Sequence, residues 1–368
     1  MAANRRIVIK VGTSTLARAE GGLDLDIASD IARQIHALKA DGWQPILVSS
    51  AAITAGLRTL GMVAKPSDMP TLQAAASVGQ VEIIGMYAKL FAQFDMVVGQ
   101  VLLTRNDTKD RQAYLHARDT FDRLMSLGCV PVVNENDTIA VDEIRFGDND
   151  TLAALVAVMV AADLVVILSD IEGLYSADPR LDAEAELLEH VSELTEQMVS
   201  AAGGAGSKMG SGGMLTKVEA AKVLMRAGIP TVVCDGRRAD VITDAALGKP
   251  VGTFFAGADQ AIGARKLWIA VGNKPSGHIV IDDGAREALT LRGKSLLPAG
   301  VVGVFGTFVP GDAIELRDGQ GGVVARGLTA VSSADLDRVK GMKSSQIAED
   351  VPHVVGVEVV HRDHLVIL

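Results

Sequence analysis

Cysteine is nearly absent: only Cys129 and Cys234 occur in 368 residues. Two thiols are too few for a disulfide framework or a tetrahedral zinc site. Each lies in an apolar, strand-like run, CVPVV or TVVCD, and both are expected to be plain buried thiols. No stretch is long and apolar enough to span a bilayer. The most apolar one, Leu152 to Leu168, is cut by Asp163 and falls short of the roughly 20 residues a span needs. MAANRRIVIKVG passes directly into strand-like sequence without an apolar signal core, so a cytoplasmic protein is expected. Positive charge is in deficit, with 35 Lys and Arg against 45 Asp and Glu, a net of −10. That balance disfavours nucleic acid or an anionic membrane as the partner of the whole chain. Histidine offers no clear acid or base, since only His116 of the seven approaches the polar clusters described below. The P-loop spacing and the GxGxxG fingerprint are both missing, which disfavours those two nucleotide-binding architectures.

What is present is a regular alternation. From Arg5 to about Gly257, the runs IVIKV, PILVS, VVGQVLL, VPVVN, LVVILS and PTVVC read as buried strands. Between them lie DIASDIARQIHALKADG, TLQAAASVGQVEIIGMYAKLFAQF, DRQAYLHARDTFDRLMSLG and KVEAAKVLMRAG, with helix-period apolar spacing. This alternation predicts an α/β fold, a mostly parallel sheet sandwiched by helices. The texture changes after that. GADQAIGARKLWIAVGNKPSG reads as a junction, and GHIVID, GVVGVFGTF, DAIELRD, GGVVARGLTAV, HVVGVEVVH and HLVIL follow as short strands. Only DGAREALTLRG and SADLDRVKG look helical there. The expected organisation is an α/β domain over 1–258, a linker over 259–275 and a small β-rich barrel over 276–368.

In an open parallel sheet, ligands bind beyond the carboxyl ends of the strands. Polar residues collect at those ends here: Lys10-Val11-Gly12-Thr13-Ser14, Ser49-Ser50, Asn134-Glu135-Asn136-Asp137, Ser169-Asp170 and Asp235-Gly236. Lys10 sits on an otherwise apolar strand, where an unpaired ammonium is costly to bury. It reads either as a lysine emerging into solvent or as a point charge for a phosphate. The glycine-rich run from Gly203 to Gly213 leads through Met214, Leu215 and Thr216 to Lys217, at the start of a helix. Backbone N–H groups there can converge on anionic oxygens. Lys217 opposes the helix dipole unless an anion sits beside it. A flexible glycine linker is the competing reading. In the third cluster, Asn134 to Thr138 and Phe146 to Asp150, carboxylates and carboxamides interleave, which suits an amino group and a polar acceptor. Asp150 also suits a helix N-cap. The turn-rich run Ser169 to Arg180 fits any surface loop.

KVGTS, VSSAAITAG, VNENDT, FGDND, LSDIEGLYSADPR and GSGGMLTK, in this order and at these intervals, resemble the amino acid kinase family, nearest to its branch acting on L-glutamate. The tail resembles a PUA domain. The resemblance implies transfer of a phosphoryl group from ATP to the γ-carboxylate of L-glutamate, the first step toward proline. It also implies Mg²⁺, proline as feedback inhibitor, and a homo-oligomer, dimer or tetramer. Carried over by residue, Lys10 and Lys217 would act on the phosphates and Asp150 would hold both ammonium groups. Ser50, Asp137 and Asn149, with Asn134 beside them, would bind glutamate. Lys10, Ser169, Asp170, Ser211, Gly212, Gly213, Met214, Leu215, Thr216 and Lys217 would bind ATP. The family usually has glycine where Ala51 stands, and a Cβ there disfavours positive φ.

Two alternatives remain at this level. A sibling kinase acting on aspartate, acetylglutamate or a nucleotide would use the same phosphate residues. A PUA-like domain could instead bind RNA. Residues 275–368, however, hold 9 Lys and Arg against 12 Asp and Glu, a net of −3, where an RNA-binding surface should be basic. A tail serving assembly or regulation is expected instead.

Overall fold

The computed structural model describes residues 5–18, 22–62, 64–104, 107, 111–140, 149–182, 184–203, 213–258, 275–343, 346–347, 351 and 354–367. Two compact units emerge, residues 1–261 and 262–368. Of the expected linker, all but Pro275 lies outside the described residues.

Eight strands of the first unit form one sheet: β1 (Arg5–Val11), β2 (Trp43–Val48), β3 (Val98–Leu103), β4 (Val130–Glu135), β5 (Leu164–Ser169), β6 (His190–Val191), β7 (Thr231–Asp235) and β8 (Thr253–Phe255). Their order is β3-β4-β2-β1-β5-β7-β8-β6. The first six in that order run parallel, β8 is antiparallel to β7, and β6 is parallel to β8. All of β5 is buried, as expected of a strand covered on both faces, and its unbroken apolar run LVVILS reflects that. Strands β2, β4 and β3 lie on one side of β1, while β5 and β7 lie on the other. The chain therefore changes direction across the sheet at β1, the place where an open α/β sheet forms a ligand crevice.

The connecting helices are α1 (Thr13–Leu16), α2 (Leu25–Ala40), α3 (Ala52–Thr59), α4 (Met69–Ala92), α5 (Arg111–Ser126), α6 (Asn149–Met159), α7 (Glu196–Ala202), α8 (Met214–Arg226) and α9 (Val241–Ala246). Helix α2 starts where Asp24 accepts bonds from the N–H groups of Asp26 and Ile27, and α4 starts where Asp68 accepts from Thr71 N–H. Ile7, Ile9 and Val11 of β1 share one core with α2, α4 and α9. Alternation along a strand sends Val8 and Lys10 to the opposite face. There α6 packs on β1, β5 and α8. Lys10 is thus aimed at the starts of α6 and α8.

Helices α3 and α4 cross at van der Waals contact. A Cβ on Gly56 would lie 1.7 Å from Ala75 O, and one on Gly79 would lie 1.8 Å from Ala52 O. Only glycine permits that approach. Just ahead of α3, Ala51 adopts φ +75° and ψ 13°, the left-handed region. The backbone demand of the β2–α3 turn persists although the residue is not glycine, and an L-residue there carries about 1–2 kcal/mol of steric cost.

The second unit holds a mixed sheet of β9 (Gly277–Ile281), β10 (Val301–Gly306), β11 (Ala313–Arg317), β12 (Val323–Leu328) and β13 (Leu365–Ile367), ordered β10-β9-β11-β12-β13. Strands β9 and β11 pair in parallel and the other pairs are antiparallel. Helices α10 (Asp283–Thr290) and α11 (Ser333–Val339) begin at Asp282 and Ser332, whose side chains accept from the N–H groups of Ala285 and Asp335. The expected strand HVVGVEVVH is not one. Val354 to Val360 forms a turn with Gly356 at φ +73° and a single bridge, Leu296 to Val360. Val354, Val359 and Val360 are buried in this unit's core. The apolar pattern reported burial, while the glycine set a backbone that cannot sustain a ladder.

Replacing Ala51 by Gly relieves the left-handed cost but adds unfolded-state entropy. The expected net is a stabilisation of about 0.5–1 kcal/mol, read as a shift in urea midpoint; a loss of stability would contradict the assigned turn. Gly79→Ala should destabilise by about 1–3 kcal/mol through overpacking against α3, measured in the same titration.

Candidate active site

Lys10, near the end of β1, is 1% exposed, so its ammonium requires a partner. That partner is Asp150 in the first turn of α6, whose Oδ1 lies 2.5 Å from Lys10 Nζ. Asp150 is wholly buried, and it sits at the positive end of the α6 dipole. Its Oδ2 lies 3.2 Å from Lys217 Nζ and accepts a 3.0 Å bond from Thr216 Oγ1. Lys217 is buried in the first turn of α8, which starts at Gly213 without a side-chain cap. The anion that its place against the helix dipole called for is, within the chain itself, Asp150. One carboxylate therefore gathers two ammonium groups from opposite ends of the first unit. Gly12 keeps room beside it: a Cβ there would lie 3.3 Å from Lys10 Nζ.

The third cluster converges on one carboxamide. Asn149 Nδ2 donates toward Ser49 O at 2.5 Å, Asn134 Oδ1 at 2.7 Å and Ser50 Oγ at 3.1 Å. Asn134 Oδ1 also accepts from Glu135 N–H at 2.9 Å. Asn134 Nδ2 is buried with no hydrogen-bond partner among the described residues. A buried, unpaired amide costs about 1–3 kcal/mol, which a ligand oxygen would remove. Asp137 stands in the turn after β4, and burial pushes its carboxyl up to about 6. An opposing ammonium would favour the charged form again.

On the other side of the triad, Ser169 ends β5 buried, and its hydroxyl donates to Asp170 Oδ1 at 3.4 Å. Beyond it the chain turns through Asp178, whose carboxyl is held near 2 by hydrogen bonds from Arg180. It then folds back, with Tyr175 bridging to Leu187 and Leu174 N–H donating to Thr253 Oγ1 at 2.8 Å. Gly213, Met214 and Leu215 form the start of α8, where backbone N–H groups lack intrahelical partners and suit an anion. Ser211, Gly212 and residues 146–148 lie outside the described residues.

The chain thus brings together Lys10, Asp150, Thr216 and Lys217, and separately Ser50, Asn134 and Asn149. Thr216, expected on the nucleotide, bonds to Asp150 here. Two residues of α4, Tyr87 and Gln80, escaped the sequence reading. Ser49 supplies a carbonyl to Asn149, and its hydroxyl meets Tyr87 OH of α4 at 3.1 Å. Gln80, also on α4, donates to Glu135 O at 3.3 Å. Both lie in a run read only as a helix, and the strand end each side chain meets is a tertiary fact. Of the two thiols, Cys234 is buried and pushed up to about 12 by desolvation, whereas Cys129, also expected to be buried, is half-buried. A thiol raised that far is a poor nucleophile at neutral pH.

The arrangement holds two lysine ammonium groups between a carboxamide-lined pocket and a helix start that has no side-chain cap. That suits two anions brought together, one of them a polyphosphate. Residues 5–235 match the model of the amino acid kinase family, and residues 277–351 match the PUA domain. A glutamate 5-kinase from Caldanaerobacter subterraneus subsp. tengcongensis is 44% identical over 99% of this chain and 98% of its own length. One from Pelobacter propionicus is 45% identical over the same shares. The UMP kinases of Ureaplasma parvum and Bacillus anthracis share 14% identity with it, with TM-scores of 0.46 and 0.48 over 69% and 70% of this chain and 99% and 98% of theirs. The chain belongs to the amino acid kinase family, on its glutamate 5-kinase branch, with a PUA domain following the kinase fold.

Proposed function

We propose that the chain transfers the γ-phosphoryl group of ATP to the γ-carboxylate of L-glutamate, forming L-glutamyl 5-phosphate, the first step of proline biosynthesis. The observation that carries this reading is the pair of buried lysines on Asp150, beside a pocket whose Asn134 amide lacks a partner among the described residues. The relatives' near-complete coverage supports the same chemistry.

A γ-carboxylate with a pKa of about 4.3 is already ionised at neutral pH and needs no general base. The difficulty is to bring one anion against another, so catalysis rests on positioning and charge neutralisation. In this reading Ser50, Asn134 and Asn149 hold the acceptor's oxygens and Asp137 its ammonium. Ser169, Asp170 and residues 211–217 hold ATP. Lys10 and Lys217 neutralise charge on the transferring group, and Asp150 fixes the two ammonium groups in place. Attack is in line, with no covalent enzyme intermediate.

Mg²⁺, which the family implies, fits as an ion carried on the phosphates rather than caged by Asp150, whose two oxygens already lie against lysines. Bound there it would add to the neutralisation of phosphate charge. Inhibition by proline, a dimeric or tetrameric assembly and a cytoplasmic place belong to the same proposal. No helix among the described residues is long and apolar enough to cross a membrane. The RNA reading of the second unit is weaker, because Arg317 and Arg326 both turn onto Glu315, at 2.7 and 2.9 Å, which leaves less free positive charge for a phosphate backbone.

ATP-dependent hydroxamate formation tests the reaction: glutamate should give product and aspartate little, proline should suppress the signal, and a nucleotide acceptor would yield none. Lys10→Ala and Lys217→Ala should each lower turnover on the order of 10²–10³-fold; near wild-type turnover in either variant would remove its assigned role. Asp137 must be ionised to hold an ammonium. Because burial raises its carboxyl to about 6, kcat/KM for glutamate should fall as pH drops through about 6, a step that Asp137→Asn should abolish.

A further inference from the structure

Every polar group of Ser49 is fixed from a different direction. Its N–H donates to Val133 O of β4 at 2.9 Å, its carbonyl accepts from Asn149 Nδ2 at 2.5 Å, and its hydroxyl meets Tyr87 OH at 3.1 Å. Neither side chain reaches solvent: Ser49 and Tyr87 are both fully buried. The next residue is Ser50, whose hydroxyl shares Asn149, and after it comes Ala51 in the left-handed region. A strained turn of this kind persists only when its surroundings over-determine it. Much of that constraint comes from α4. Gly79 of α4 locks against α3 on the far side of the turn, Gln80 ties to the end of β4, and Tyr87 ties to the end of β2. The Tyr87 ring is itself wedged edge-on against Phe91, with centroids 6.0 Å apart at 82°.

We infer that Tyr87, although outside the binding cluster, is a positioning residue for the acceptor: its hydroxyl holds Ser49 so that Ser50 and Asn149 meet the substrate carboxylate in a fixed geometry. The inference rests on the acceptor pocket proposed above and adds a residue that does not itself touch the substrate. A hydroxyl pair that merely filled the core would contribute to stability alone. Here the same serine that receives the hydroxyl also presents the carbonyl that orients Asn149, so loss of the phenol OH acts on the acceptor side of the site and leaves Lys10, Lys217 and the start of α8 untouched. Burial also keeps the phenol protonated, since desolvation raises Tyr87 well above its ordinary range. The hydroxyl is therefore a neutral strut at every working pH.

The test uses the full chain with Tyr87→Phe and Ser49→Ala, singly and together, in the hydroxamate assay. Tyr87→Phe should raise KM for glutamate about five- to tenfold, the scale of one lost buried hydrogen bond, with KM for ATP within about twofold of wild type. The double variant should match Ser49→Ala alone, because the two residues act as one unit. Equal changes in both KM values, an unchanged glutamate KM, or additive effects would overturn the inference. Should Tyr87→Phe not fold, Ser49→Ala decides by the same glutamate-against-ATP comparison. Wild-type activity reports separately on the proposed reaction. If the wild type phosphorylates a different carboxylate, the ratio is measured with that acceptor and judged alike.

Discussion

A single buried carboxylate determines how the two halves of the first unit must meet. Asp150 lies against Lys10 from the first strand and Lys217 from a helix more than two hundred residues later. Removing the carboxylate would take from both buried ammonium groups the partner they share, a change that typically costs several kcal/mol. The sheet order brings these groups together. Strand β1 occupies the centre of the sheet with Lys10 on the face covered by α6 and α8, and the starts of both helices reach its carboxyl end. Two ammonium groups held on one carboxylate stand ready for the phosphate charge of an enzyme whose task is to bring two anions together.

Around this centre the site divides by strand. The ends of β2 and β4 provide hydroxyl and carboxamide groups, and α4 ties both ends down from below through Tyr87 and Gln80. The start of α8 and the end of β5 provide the amide-rich side. Ala51 shows how strongly the acceptor half is constrained. Its backbone stays left-handed although the side chain resists it, because the α3–α4 crossing at Gly56 and Gly79 leaves the turn no slack.

The second unit follows another logic. Its mixed sheet, capped by short helices, buries an apolar core of its own, and its arginines on β11 and β12 are paired with Glu315. Burial pushes that carboxyl up, but the two arginines outweigh it and lower it overall. Stability from this cluster is present above the ordinary carboxylate range and is lost as pH falls through the depressed value. A structural role for these charges is consistent with the acidic balance of residues 275–368.

The linear chain was enough to place the six parallel strands and the helices α2, α4, α5 and α8 of the first unit, because burial of a parallel strand on both faces demands an unbroken apolar run and an amphipathic helix demands its period; the short elements β6, β8, α3, α7 and α9 were not legible in it. It was also enough to mark Lys10 and Lys217 as anomalous, since each places a charge where local structure alone gives no reason for one. It misjudged Val354 to Val360, where burial and strand formation came apart at Gly356. Only the tertiary structure decided that both lysines share Asp150, that Thr216 joins them, and that Ser49 and Tyr87 underpin the acceptor side. Those are contacts between residues tens to hundreds of positions apart. Side-chain periodicity says which face a residue takes, but only the folded packing says which group it meets there.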